Sequence, residues 1–368
     1  MSPAELLHSI DTQALWCEKI GAPMYARLLR GVSAEMRADA DRSGALWRML
    51  DLYPRADVRS LLPTRFLSAL HWLVLAGEMP EIRKWFPSVG GVEPPETVWP
   101  AALGALERSA ERIREVLPAT VQTNEIGRSR ALLPGFLYVA EVAGLPLRLL
   151  EIGASAGLNL AWDRYRYWIG DTEWGDPASP VELADEYAKP WNPPEVRVRI
   201  HSRQGCDLHP IDPVTPQGRA QLLSFVWPEK TERFRQLDAA IRLRQAGGVT
   251  PAIELEQAGA ADWVARKLTE LPEGVATVLF HSVMLPYLSD PDQEQVRRLL
   301  SEAGERATGR APVAWLSMEP EGGFGVPAKG QETEREPVVD LVLWRGRGPE
   351  RVRVATTSFH GTNVDVLL

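Results

Sequence analysis

From Pro146 onward, short β-type runs alternate with helical ones, and this alternation narrows the possible folds more than any other feature of the chain. The runs are LRLLEIG, VRVRIH, AIELEQ, ATVLFHSV, PVAWLSME, VVDLVLW and RVRVATT. Helical patterns at 217–226, 231–245, 261–270 and 292–303 separate most of them. Strands joined through helices run parallel, and a parallel sheet needs cover on both faces. The spacing therefore predicts an α/β domain over 146–368. Only RGRGPE joins the last two runs, too short for a helical crossover, so they are expected to pair as an antiparallel hairpin. One stretch breaks the pattern. Residues 165–194, with YRYWIGDTEWGDPASP and then KPWNPPE, read as a small hairpin and a proline-rich loop inserted after the first helix.

Residues 1–145 show no period-two pattern. The segment 63–77 has Pro63 in its first turn, Gly77 at its end, and Phe66, Leu67, Leu70, Leu73 and Val74 at helical spacing. Further helices are expected over 101–117 and 124–144, the latter with Pro134 inside it and Asn124 as its N-cap. This half is expected to be an all-helical cap domain over the ligand edge. With 368 residues, 45% of them hydrophobic, the chain can bury its core without disulfides or metal. Its formal charge of −8 removes the electrostatic case for nucleic-acid binding. Cys17 and Cys206 form no disulfide framework and fit a reducing compartment. The N-terminal residues lack the pattern of a signal peptide, and no apolar run approaches the ~18 residues of a membrane span. A cytoplasmic protein acting on a small molecule is expected.

The strongest motif is Leu149-Leu150-Glu151-Ile152-Gly153-Ala154-Ser155-Ala156-Gly157, a hydrophobic strand running into a glycine turn. Gly153 and Gly157 permit a tight turn and close ligand approach, and a helix starting near Ala156 would offer unpaired N–H groups. The stretch resembles the cofactor loop of class I S-adenosylmethionine (SAM)-dependent methyltransferases, with Ser155 standing where their middle glycine does. The resemblance implies a Rossmann-like, seven-stranded, mostly parallel sheet with a terminal antiparallel hairpin, preceded by the helical domain. It implies that Glu151, Gly153, Ser155 and Gly157 lie beside SAM. It also implies that Asp207 holds the ribose, that Asp262 and Trp263 meet the adenine, and that His281 serves as base or substrate anchor. The segments QTNEIGRS, EIGASAGLNL, GCDLHPID and HSVMLPYL are also similar to an uncharacterised bacterial family defined as a domain of unknown function.

Gly153-Ala154-Ser155-Ala156-Gly157 is also Gly-x-Ser-x-Gly, the nucleophile-elbow pattern of α/β-hydrolases, and chain order permits a triad of Ser155, Glu319 and His360. Against this, a hydrolase elbow comes after several sheet strands, whereas here the preceding residues read as helices. A third possibility is a SAM- or nucleotide-binding protein without catalysis. Glu319 ends the strand after that of His281 and is its expected neighbour. Asn124, Arg128 and Arg130 lie before the sheet, and arginines at a helix start invite an anionic substrate group. His201, Cys206, Asp207 and His209 are close in sequence, yet His201 and Cys206 would face opposite sides of a continuing strand, so no metal is expected. Trp174 and Trp191 could line a pocket within the insertion. Methyl transfer to an O or N nucleophile of a small molecule is the expected activity.

Overall fold

In the computed structural model of the chain, residues 2–50, 61–99, 101–117, 121–321 and 336–368 are described. The strands, in chain order, begin with β1 (Leu147–Ile152). The insertion then supplies β2 (Arg166–Ile169), β3 (Thr172–Gly175) and β4 (Glu182–Leu183). After it come β5 (Ile200–Asp207), β6 (Ile253–Gln257), β7 (Ala276–Ser282), β8 (Val313–Pro320), β9 (Pro337–Trp344), β10 (Glu350–Thr356) and β11 (Asp365–Val366). The insertion forms its own small sheet, β3-β2-β4: the expected hairpin is β2 with β3, and β4 adds a parallel strand that the sequence pattern does not predict.

The other strands form one eight-stranded sheet in the order β11-β10-β9-β8-β7-β1-β5-β6. From β6 to β8 every pairing is parallel, and from β8 to β11 every pairing is antiparallel. The sheet is therefore parallel in its first five strands and ends as an antiparallel meander. Its eighth strand, the short β11, is not among the seven β-type runs of the sequence. The strand expected at 196–201 lies at 200–207, which puts Asp207 at its C-terminal end. β1 is buried along nearly its whole length and β7 likewise, which explains why both read as unbroken apolar runs. The chain leaves β1 toward β5 on one side and reaches β7 on the other. Strand order thus reverses between β1 and β7, and the crevice beyond their C-terminal ends is where open α/β sheets take ligands.

The helices are α1 (Pro3–Lys19), α2 (Pro23–Ala38), α3 (Ala45–Leu50), α4 (Leu62–Leu75), α5 (Ala101–Arg108), α6 (Ala110–Val116), α7 (Arg128–Ala143), α8 (Pro216–Ser224), α9 (Thr231–Gln245), α10 (Ala260–Lys267) and α11 (Asp290–Arg306). The single helix expected over 101–117 is two, parted at Ser109. By contact the chain divides into Met1–Thr123 with Thr215–Asp238, and Asn124–Val214 with Ala239–Leu368. The division expected at 145 is shifted for two packing reasons. Most of α7 is buried and lies on β7, β8, β9 and β10: a Cβ on Gly135 would overlap Leu316, and Phe136 stacks on Trp162 at 4.5 Å. Meanwhile α8 packs on α4, where Ser68 Oγ and Ser224 Oγ lie 2.9 Å apart.

Candidate functional site

The turn after β1 is left-handed at Gly153 (φ 67°), Ser155 (φ 53°) and Gly157 (φ 69°). It leads into a 3-10 segment, Leu158–Arg164, rather than an α-helix. The unpaired N–H groups expected here all have acceptors. Ala154 N donates to Cys206 O, Gly157 N to Ala154 O, and Ser155 N to Asp207 Oδ2 at 2.9 Å. Ala156 N and Leu158 N both donate to Asn124 Oδ1, at 3.2 and 3.1 Å. Asn124 is therefore not a helix N-cap: α7 starts later, behind Gly127, and the Asn124 amide clamps the glycine turn instead. Asp207 also accepts from His209 N at 2.9 Å, so both of its carboxylate oxygens hold backbone. Gly157 packs rather than opening toward a ligand, because a Cβ there would press on Ile253 and Leu255 of β6.

Glu151 lies beneath this turn, 2% exposed, with Oε2 buried and lacking a hydrogen bond. Burial, reinforced by the Asp207 carboxylate, pushes its carboxyl well above the usual glutamate range, against smaller pulls from Arg128 and the Asn159 side chain. Asn159 is oriented by Ser129, whose Oγ donates to Asn159 Oδ1 at 3.0 Å. Ser155 Oγ is likewise buried without a partner.

The turn after β7 faces the other side of the crevice. His281 is fully buried, with Nδ1 2.7 Å from Glu319 Oε1 and Nε2 accepting from Trp315 Nε1 at 2.9 Å. The indole N–H fixes the tautomer: Nε2 is bare, and Nδ1 carries the proton toward Glu319. Both ring nitrogens are committed, so His281 serves as a brace rather than as the base expected from its position. Glu319 Oε1 also accepts from Met284 N at 2.9 Å and Leu285 N at 3.2 Å, while its buried Oε2 has no partner. Val283 has φ 52°, an outlier for a β-branched residue.

Arg128 runs along this edge, with Nε donating to Phe359 O and Nη1 to Ser282 O, both at 3.0 Å. Its charge is close enough to act on Glu151, though these two bonds go to backbone carbonyls. Arg130 is buried and donates to Ala184 O and Gly361 O. Trp263 is a correction: it is fully buried in the core with Ile152, Val264 and Leu300, so only the exposed Asp262 beside it can meet a ligand. Trp174 stacks on Trp162 at 5.6 Å and Trp191 lies against Tyr187 at 5.8 Å, so both pack within the fold. The hydrolase triad is not assembled. Glu319 bonds His281, His360 Nδ1 lies 3.2 Å from Glu125 Oε2, and Ser155 Oγ contacts no base. Among the described residues no group of three His, Cys, Asp or Glu side chains could hold a metal ion.

Sequence reasoning misses Met284, Val283, Trp315 and Asn159. Trp315 carries no local signal. Val283, Met284 and Asn159 lie inside the motifs HSVMLPYL and EIGASAGLNL but have no chemistry that singles them out.

Fold and site together define an α/β protein with two left-handed turns and buried carboxyls, Glu151 and Glu319 Oε2, at a sheet switch point. The chain belongs to a bacterial family described as "Uncharacterized protein conserved in bacteria (DUF2332)", whose model matches residues 8–365. No curated protein and no solved structure matches it. Among the described residues no helix is long and apolar enough to cross a membrane.

Proposed function

We propose that the chain is a Rossmann-like SAM-dependent methyltransferase acting on an O or N nucleophile of a small molecule, with the cofactor at the C-terminal ends of β1 and β7. One observation carries this reading. Each N–H from Ala154 to Leu158 already has a protein acceptor, while one oxygen of the buried Glu151 carboxyl beneath receives no donor. Phosphate-binding turns need spare N–H donors; this turn has none to give, and it presents acid instead. Such a site favours a nucleoside cofactor with a cationic head and no phosphate. The strand order supports it as well, since the parallel strands run third, second, first, fourth, fifth, as in doubly wound nucleotide-binding sheets.

In this reading Glu151 accepts from the cofactor's ammonium group and releases its own proton as it does so. Arg128 lies near enough to balance the cofactor's carboxylate, and exposed Asp262 is available to the adenine amine. Asp207 shapes the turn and can still offer a carboxylate lone pair to the ribose. The sulfonium supplies an already activated methyl group, so the chain's share is alignment, exclusion of water and removal of one proton. Glu319 Oε2, without a partner, takes that proton in place of His281.

Calorimetry with S-adenosylhomocysteine, beside NAD and ATP, tests the reading. Micromolar binding of the first, about −8 kcal/mol, is expected, with no binding of the two phosphate-bearing ligands. A folded protein that ignores S-adenosylhomocysteine at millimolar concentration, or prefers NAD or ATP, overturns it.

A further inference from the structure

The surface of Gly153 is covered by the chain itself. A Cβ built on Gly153 would overlap Met284 Cγ, with Met284 Cβ at 3.2 Å and Cε at 3.5 Å, so the side chain lies along the turn over its full length. Met284 is also the only buried residue of 282–290; its neighbours are half-buried or exposed, with Tyr287 66% exposed. An apolar side chain has thus been turned inward from an otherwise open segment, onto Gly153, where the atoms nearest to a built Cβ all belong to Met284.

The segment is built to let go. Val283 N donates to Met318 O on β8 at 2.8 Å, which anchors the segment up to that point. The next dihedral departs into the left-handed region at a β-branched residue, a conformation that persists only while something holds it. The hydrogen bonds of Met284 N and Leu285 N converge on one atom, Glu319 Oε1, which also accepts from His281, while the Met284 side chain packs in a buried cluster with Leu150 and Ile152. Beyond the 3-10 turn Leu285–Tyr287, the chain is anchored again at α11, whose N-cap Ser289 accepts from Asp292 N. A short tether between two fixed points, strained at one end and latched at one atom, can swing without disturbing the sheet.

We propose that Met284 is an internal stopper, filling the groove above Gly153 until residues 283–287 swing out about Val283 to admit a ligand whose entering portion is an unbranched thioether or alkyl chain. The inference rests on the reading of the β1 turn as a cofactor loop and deepens it. A flexible, unbranched thioether side chain fits the groove, so a ligand chain of that shape can replace it. The closed state lowers apparent affinity by the fraction of molecules that are open.

The test combines calorimetry with methyl NMR of the full chain carrying ¹³C-methyl methionine; there are seven methionines, and Met284→Ala identifies the relevant signal. On addition of S-adenosylhomocysteine the Met284 methyl is expected to move to a solvent-like position. Met284→Ala should tighten binding by about tenfold, as removal of a closed-state penalty does. Val283→Gly, which keeps the thioether but removes the strain of the closed state, should hold the segment shut and weaken binding instead, and serves if the first variant folds poorly. Binding with an unmoved Met284 methyl and equal affinity in the variants overturns the stopper and leaves the cofactor reading standing. If only NAD or ATP displaces the methyl, the cofactor reading falls and so does the match between the stopper and a thioether or alkyl chain. If no ligand binds any of the three proteins, both fall.

Discussion

The two turns that flank the switch point solve the same problem in opposite ways. Each must take the chain off the end of a central strand at a left-handed residue, Ser155 after β1 and Val283 after β7. The first is tied from several directions: Asn124 ahead of α7, Asp207 and Cys206 on β5, and its own Ala154 carbonyl. The second is held mainly by one oxygen of Glu319. Distributed ties make a rigid floor, while a single latch makes a part that moves. A binding site needs both, since a floor fixes the ligand's position and a movable part lets it in.

The sharpest way to break this comparison is to cut the first turn's strongest tie. Asn124→Ala leaves two buried N–H groups, those of Ala156 and Leu158, without an acceptor. Each such loss costs about 1–3 kcal/mol, so a drop of roughly 2–6 kcal/mol in unfolding free energy is expected from urea titration. A drop below about 1 kcal/mol would mean that water reaches this turn, and the contrast between floor and latch would disappear.

Asn124 also marks where sequence reasoning stops. The β runs are legible because central parallel strands are buried on both faces and leave unbroken apolar stretches, as in ATVLFHS. Gly153 and Gly157 are legible as turn residues because the left-handed turn after a buried strand favours glycine there. The role of Asn124 is not. A local rule reads it as a helix cap, but its side chain acts on residues far along the chain, and only tertiary structure brings the two together. The start of β5 is displaced from its sequence pattern for a related reason. VRVRIH alternates like a strand, yet residues 196–199 precede the ladder, and the pairing with β1 begins near Ile200. Trp263 misleads in the other direction: an Asp-Trp pair after the third strand suits a ligand site, but the large apolar ring is taken by the core. His281 does lie at its strand end, but its partner Trp315 has no sequence signature, and that partner changes what the imidazole can do.

The acids of the two turns give a second, smaller contrast. Glu319 is fed by three donors on one oxygen, whereas Glu151 is raised well above the usual range, chiefly by burial. The unfolded chain releases the Glu151 proton near the ordinary value of about 4.3, and the folded chain releases it only at much higher pH. The folded state therefore binds more protons above pH ~4.3, and the stability contributed by protonated Glu151 is full below that value and falls as pH rises through the folded pKa. Glu151→Gln stays neutral throughout, so its urea midpoint should fall less than wild type between pH ~5 and ~8. The two profiles should diverge as pH rises, by at most about 1.4 kcal/mol per pH unit. Parallel pH profiles would show that Glu151 is ionised in the folded protein and that water or a cation reaches it.

The smallest expected effect concerns Ser155, and it matters because two activities diverge at its hydroxyl. In the rigid-floor picture the Ser155 backbone makes the ties: its N–H bonds Asp207 and its carbonyl accepts from Ile211 N at 3.1 Å. The hydroxyl is buried without a partner, so Ser155→Ala removes an unsatisfied group and should leave stability within about 1 kcal/mol of wild type, on the stable side. S-adenosylhomocysteine affinity should stay within about tenfold, because at most one neutral hydrogen bond is lost. Ser155→Gly keeps the left-handed backbone and should behave alike, with a slight entropic penalty. A nucleophile would respond differently. If this turn were a hydrolase elbow, deleting the hydroxyl should remove about 10⁶ in turnover, as deletion of a triad serine does. Ester hydrolysis and cofactor affinity measured on wild type and both variants separate the two. An esterase activity in wild type that vanishes in Ser155→Ala would make the hydroxyl the working part of the turn, and the floor would then exist to strain a nucleophile rather than to carry a cofactor.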